Sequence, residues 1–95
     1  MLTILARIKV DPAAVPRFLA ALPALSAATR AEAGCSLYEF NQSNDDPSLF
    51  LVYEKWADQA ALDLHMQTPH IAKFVGEFGS ELSEPLTVTP LTTLS

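Results

Sequence analysis

A chain of 95 residues is enough for one domain, 1–95, and lies near the lower limit of what builds a core unaided. Apolar residues make up 49% and charged ones only 18%, which excludes disorder and leaves more apolar surface than one small core uses. Six basic residues against eleven acidic ones give a formal charge of −5 with no basic cluster, which argues against nucleic acid and anionic membrane as partners.

Residues 2–10 alternate at period two. Leu2, Ile4, Ala6, Ile8 and Val10 share one face, and Thr3, Leu5, Arg7 and Lys9 the other, which predicts a strand. Asp11-Pro12 then supplies a helix start. Residues 13–33 are alanine-rich, with Val15, Phe18, Leu19, Leu22 and Leu25 at helical spacing, as expected of a helix lying on a sheet. Pro16 delays the regular helix by about a turn, Pro23 predicts a kink over 19–23, and Gly34 reads as a left-handed cap.

Residues 35–42 and 48–56 read as two strands joined by the polar hairpin loop at 43–47. In the second of them Phe50, Val52, Glu54 and Trp56 share a face, and Leu49, Leu51, Tyr53 and Lys55 share the other. Both faces are largely apolar, so both are expected to be covered, one by helices and one by a second subunit. Asp58 caps a short helix over about 59–67, and Pro69 opens another that runs to about Phe78, with Ile71, Phe74, Val75 and Phe78 at i, i+3, i+4 and i+7. Gly79 stops it. A last strand over 86–94 contains Pro90, which places it at an edge or a bulge. The order β-α-β-β-α-β predicts an α+β, ferredoxin-like fold: an antiparallel sheet with helices on one face.

The candidate chemistry is concentrated between residues 54 and 78. His65 falls on or beside the buried stripe of its helix; a neutral imidazole in an apolar pocket can remove a proton, and the plainer alternative is a structural histidine bonded to a backbone carbonyl. His70, in the first turn of its helix, reads as a hydrogen-bond donor to substrate or as a solvated surface residue. Trp56, Tyr53, Phe40 and Phe74 are core aromatics by default and would also serve as walls for a flat aromatic ligand. Glu54 is expected in a cross-strand salt bridge to Arg7 or Lys9, and Cys35, just past a helix C-terminus, as a packing residue.

The H-x4-H interval does not place two ligands on one helical face, so no metal site is expected. Phosphate-loop, nucleophile-elbow, flavin and nicotinamide fingerprints are absent, so no organic cofactor is expected either. A single cysteine suits a reducing compartment, and the first residues carry no signal-peptide pattern; the expected location is cytoplasmic.

Four stretches together resemble the antibiotic biosynthesis monooxygenase domain, and most closely its small quinol monooxygenase-like members. They are M-L-T-I-L-A-R-I on the first strand, E-A-G-C-S-L-Y at 32–38, Y-E-K-W at 53–56 and H-M-Q-T-P-H at 65–70. The resemblance implies a homodimer whose sheets pack into a shared α/β barrel, with a hydrophobic pocket between sheet and helices. It implies cofactor-free oxygenation of a small electron-rich aromatic, a quinol or phenol, by dioxygen. On that pattern His65 is the base, His70 an orienting donor, and Trp56, Tyr53 and Phe74 are pocket walls. The haem-degrading branch is similar but uses a first-strand Asn and a later Trp and His; here the pocket-side strand residues are all aliphatic, His65 stands in place of that Trp and Val75 near that His, so haem degradation is not expected. Isomerases of small phosphorylated carbonyl compounds also belong to the family and would use His65 as an enolising base, but would need cations for phosphate. A third alternative is a non-catalytic dimeric binding or stress protein.

Overall fold

A computed structural model describes residues 1–95. The alternating first segment forms β1 (Leu2–Lys9). Asp11 then turns the chain: its carboxylate accepts from the Ala13 amide at 3.0 Å, and Pro12–Ala14 make one 3₁₀ turn. The regular helix α1 (Val15–Arg30) starts after that turn, with Pro16 in its first turn, as the two prolines predict. Pro23 does not break it. That residue is exposed, and α1 continues through it.

The helix ends at Arg30, three residues before the sequence suggests, and Gly34 is not a left-handed cap, since no glycine has positive φ. Its role is steric. A Cβ at position 34 would overlap the Ala61 methyl group, and the Gly34 carbonyl accepts from the Ala57 amide at 2.8 Å. Only glycine lets the turn after α1 lie this close to the helix that follows the third strand.

β2 (Cys35–Gln42) and β3 (Leu49–Trp56) form the expected hairpin. Ser43 and Asp46 tie its loop: the Ser43 hydroxyl accepts from the amides of Asp45 and Asp46, and the Asp46 carboxylate accepts from the Ser48 amide and hydroxyl. α2 (Gln59–Met66) is capped by Asp58, and α3 (Pro69–Phe78) by Thr68. After a 3₁₀ turn at Gly79–Glu81 the chain ends in β4 (Thr87–Leu91). The sheet order is β2-β3-β1-β4, all antiparallel, so Pro90 sits in an edge strand as expected.

One face of the sheet carries Ala6, Ile8, Tyr38, Phe50, Val52 and Trp56 into the core beneath the helices. Phe18 of α1 is fully buried at its centre, with ring centroids 4.6 Å from Phe50, 5.3 Å from Phe78, 5.4 Å from Phe74 and 6.1 Å from Phe40. The other face has no helix. On it Leu5, Leu49, Leu51 and Tyr53 are half-buried, Leu91 is exposed, and Lys55 lies over the Tyr53 ring.

Candidate active site

Glu32 lies in the turn between α1 and β2, and two histidines converge on it. His65 Nδ1 is 2.7 Å and His70 Nε2 is 2.8 Å from the same oxygen, Glu32 Oε2. The rings come from different helices, one from the last turn of α2 and one from the first turn of α3. Thr68 sets the bend between them: its hydroxyl donates to the His65 carbonyl at 2.7 Å and accepts from the Ile71 amide at 3.4 Å. In the tautomer that donates from Nδ1–H to the Glu32 carboxylate, the lone pair of the His65 ring is on Nε2.

His65 is only 2% exposed. Its imidazole lies 4.5 Å from the Trp56 indole at 38°, and 5.6 Å from the Tyr38 ring. Trp56, fully buried at the end of β3, donates its indole N–H to Glu54 Oε1 at 3.0 Å. Glu54 is not the partner of Arg7 or Lys9. It stands opposite Ile4 on the helix-covered face, whereas Arg7 stands opposite Leu51 on the other. Arg7 pairs with Glu84, and Lys9 with Asp46 at 3.3 Å. With no cation beside it, burial pushes the Glu54 carboxyl up to about 7; the Trp56 hydrogen bond opposes this and the charge of Glu32 adds to it. Burial and then the neighbouring Glu54 also push the Tyr38 hydroxyl up, so it stays a donor. The Cys35 thiol is likewise pushed up, by burial first and then by Glu32 and Glu54, which suits a packing residue.

His65, Glu54 and Tyr38 are on the wall of one cavity of about 320 Å³ between the sheet and helices α2 and α3. Ile4, Ala6 and Ile8 form its floor, Phe40 and Phe74 flank it, and Leu86 and Val88 close the β4 side. The size falls within the usual range for small-molecule sites. No arginine or lysine lines it.

Of the residues singled out in the sequence, His65, Phe40, Phe74 and Glu54 line the cavity. Trp56 lies behind His65 as its support, without lining the cavity. Tyr53 stands opposite Leu5 on the far face of the sheet. His70 lines an open groove between α1 and α3 and reaches the cavity through Glu32 and His65. Glu32 and Tyr38 bound the E-A-G-C-S-L-Y stretch, but neither was singled out as a site residue. Glu54 carries a local pattern, a carboxylate in the stripe Phe50, Val52, Trp56.

The H-x4-H interval argues against a metal only if both histidines share one helix, and they do not. Glu32, His65 and His70 bring a carboxylate oxygen and two ring nitrogens within 4.8 Å of one another, a donor set known from transition-metal sites. Two hydrogen bonds of ordinary length already account for those contacts.

The model of the family described as antibiotic biosynthesis monooxygenase matches residues 1–77. The chain is 35% identical over 88 residues to Putative monooxygenase YcnE of Bacillus subtilis, covering 93% of each protein. It is 35% identical over 91 residues to Putative monooxygenase Rv0793 of Mycobacterium tuberculosis, covering 96% of this chain and 89% of that one. The solved structure of Rv0793 superimposes with a TM-score of 0.88 over 99% of this chain and 95% of its own. A Synechocystis relative, Uncharacterized protein sll1783, is 36% identical over 78 residues, 82% of this chain; the match spans about half (53%) of that relative's length. By family model, sequence and structure alike, the chain belongs to the antibiotic biosynthesis monooxygenase family.

Proposed function

We propose that the protein is a cofactor-independent monooxygenase acting on a small electron-rich aromatic, a quinol or phenol. The observation that carries this reading is His65 in the wall of an apolar cavity, with Nδ1 held by Glu32 and Nε2 left to act as a base. His65 Nε2 takes the proton of the substrate hydroxyl. The resulting anion gives an electron to dioxygen, the two radicals combine at a ring carbon, and the peroxide takes the proton back from His65. For a hydroquinone the balance is one quinol and one dioxygen giving one hydroxyquinone and one water. Phe40 and Phe74 hold the ring. Trp56 supports the base from behind, and His70 acts on it through Glu32.

An uncharged substrate suits a cavity without arginine or lysine. The same feature counts against a phosphorylated carbonyl substrate, whose phosphate would be buried without a counter-charge. A panel of reduced quinones in an oxygen electrode tests the reading. Uptake should exceed the autoxidation background with no flavin, haem or metal added; binding of quinols with no uptake across the panel would instead mark a binding protein.

The assembly we infer is a homodimer closed over the helix-free sheet face, where Leu5, Leu49, Leu51 and Leu91 are the candidate contacts. Light scattering at micromolar concentration should give twice the monomer mass, and a stable monomer would refute it. The unpaired Cys35 suits a cytoplasmic setting, and no helix is long and apolar enough to cross a membrane.

A further inference from the structure

His65 accounts for the first proton transfer, but breaking the O–O bond of a hydroperoxide also calls for an acid at the departing oxygen. Glu54 is the buried carboxyl of the same cavity. Its Oε1 is held by the Trp56 indole N–H, which fixes the group and leaves Oε2 free of protein partners. The groups around it are few. β2 contributes Tyr38 and Cys35, the turn before β2 contributes Glu32, and α2 contributes His65. β1, α3 and β4 face the cavity with aliphatic and aromatic side chains alone, and the other carboxylate at its edge, Asp63, is exposed and bonded to Gln59.

We propose that Glu54 is a second catalytic residue, the general acid that protonates the departing oxygen when the ring hydroperoxide collapses. The assignment rests on the monooxygenase reading given above. In this step His65 takes the proton from the ring carbon that bears the hydroperoxide, and the C–H electron pair becomes the new carbonyl. The O–O bond breaks with its pair on the distal oxygen, and Glu54 delivers the proton that makes it water. The proton on His65 then passes to the Glu54 carboxylate, and both residues are reset. Burial without a cation keeps a useful fraction of Glu54 protonated at neutral pH, which an ordinary surface carboxyl would not be. A merely structural Glu54 would only have to anchor the Trp56 indole.

The product distribution of Glu54→Gln separates the two roles, because the amide oxygen can still accept from Trp56 while the acid is gone. Without the acid the hydroperoxide has another balanced exit, elimination of hydrogen peroxide to give the plain quinone. Hydroxyquinone formation should fall about 10²–10⁴-fold, while oxygen uptake persists and reappears as hydrogen peroxide. Glu54→Asp should return part of the flux to water. Independently of turnover, infrared spectra of the wild-type protein near neutral pH should show a protonated-carboxyl C=O band that Glu54→Gln lacks. Unchanged Trp56 fluorescence would verify that the fold is kept.

Wild-type protein that turns over while Glu54→Gln gives the wild-type ratio of hydroxyquinone to peroxide would overturn the Glu54 assignment alone. Wild-type protein inert toward every quinol would overturn the monooxygenase reading and this step with it. Loss of the fold in Glu54→Gln, with the infrared band absent from the wild type, would mark Glu54 as an anchor for Trp56 and nothing more.

Discussion

Replacing His65 with alanine should lower quinol-dependent oxygen uptake by about 10²–10⁴-fold, the usual worth of a positioned general base. Glu32 holds Nδ1 at 2.7 Å, Trp56 backs the ring at 4.5 Å, and the residue lines the cavity. His65→Gln is the sharper control, since glutamine can still donate toward Glu32 but is not basic. Both variants should keep the circular dichroism of the wild type, because Glu32 retains His70 as a partner. If either variant oxidises quinols at the wild-type rate, His65 is not the base. If both unfold, the ring is a strut between α2 and the turn before β2.

The largest effect on stability should come from Phe18→Ala, about 3–5 kcal/mol. Phe18 is fully buried and touches four other phenylalanines, from β2, β3 and α3, so it joins α1 to the sheet and to the last helix at once. Rings fixed at such angles cannot close over the space that truncation leaves. Since a small domain is stable by about 5–15 kcal/mol, this single change consumes much of the margin. A urea titration should show the midpoint drop sharply with little change in slope. A shift of less than about 1 kcal/mol would mean that the core relaxes around the gap far more readily than close packing allows.

The fold was legible because its cues are local. Alternation in β1, the polar hairpin loop, the Asp58 cap, the helix start at Pro69 and Pro90 at the edge each act within a few residues, and each is found where the pattern puts it. Gly34 was misread for the opposite reason. Its constraint is Ala61, far along the chain, and nothing near Gly34 distinguishes a glycine needed for close approach from one needed for a left-handed turn. The site follows the same rule. His65 and Phe74 sit on periodic helix faces and could be found. Glu32 belongs to no periodic element, and its partners lie 33 and 38 positions later. Glu54 was visible as a charge in an apolar stripe, and the default expectation of a cross-strand partner hid it; its register opposite Ile4 leaves no cation within that pairing.

Thr68 ends one helix and begins the next with a single hydroxyl, so no slack exists between His65 and His70. One residue added to that interval would turn α3 by about 100° relative to α2 and carry the His70 ring away from Glu32. A residue added at the exposed tip of the hairpin loop, at Asn44-Asp45, would be absorbed at the surface, where loops tolerate it. The five-step interval from His65 to His70 therefore works as a ruler, its length set by the shared contact with Glu32.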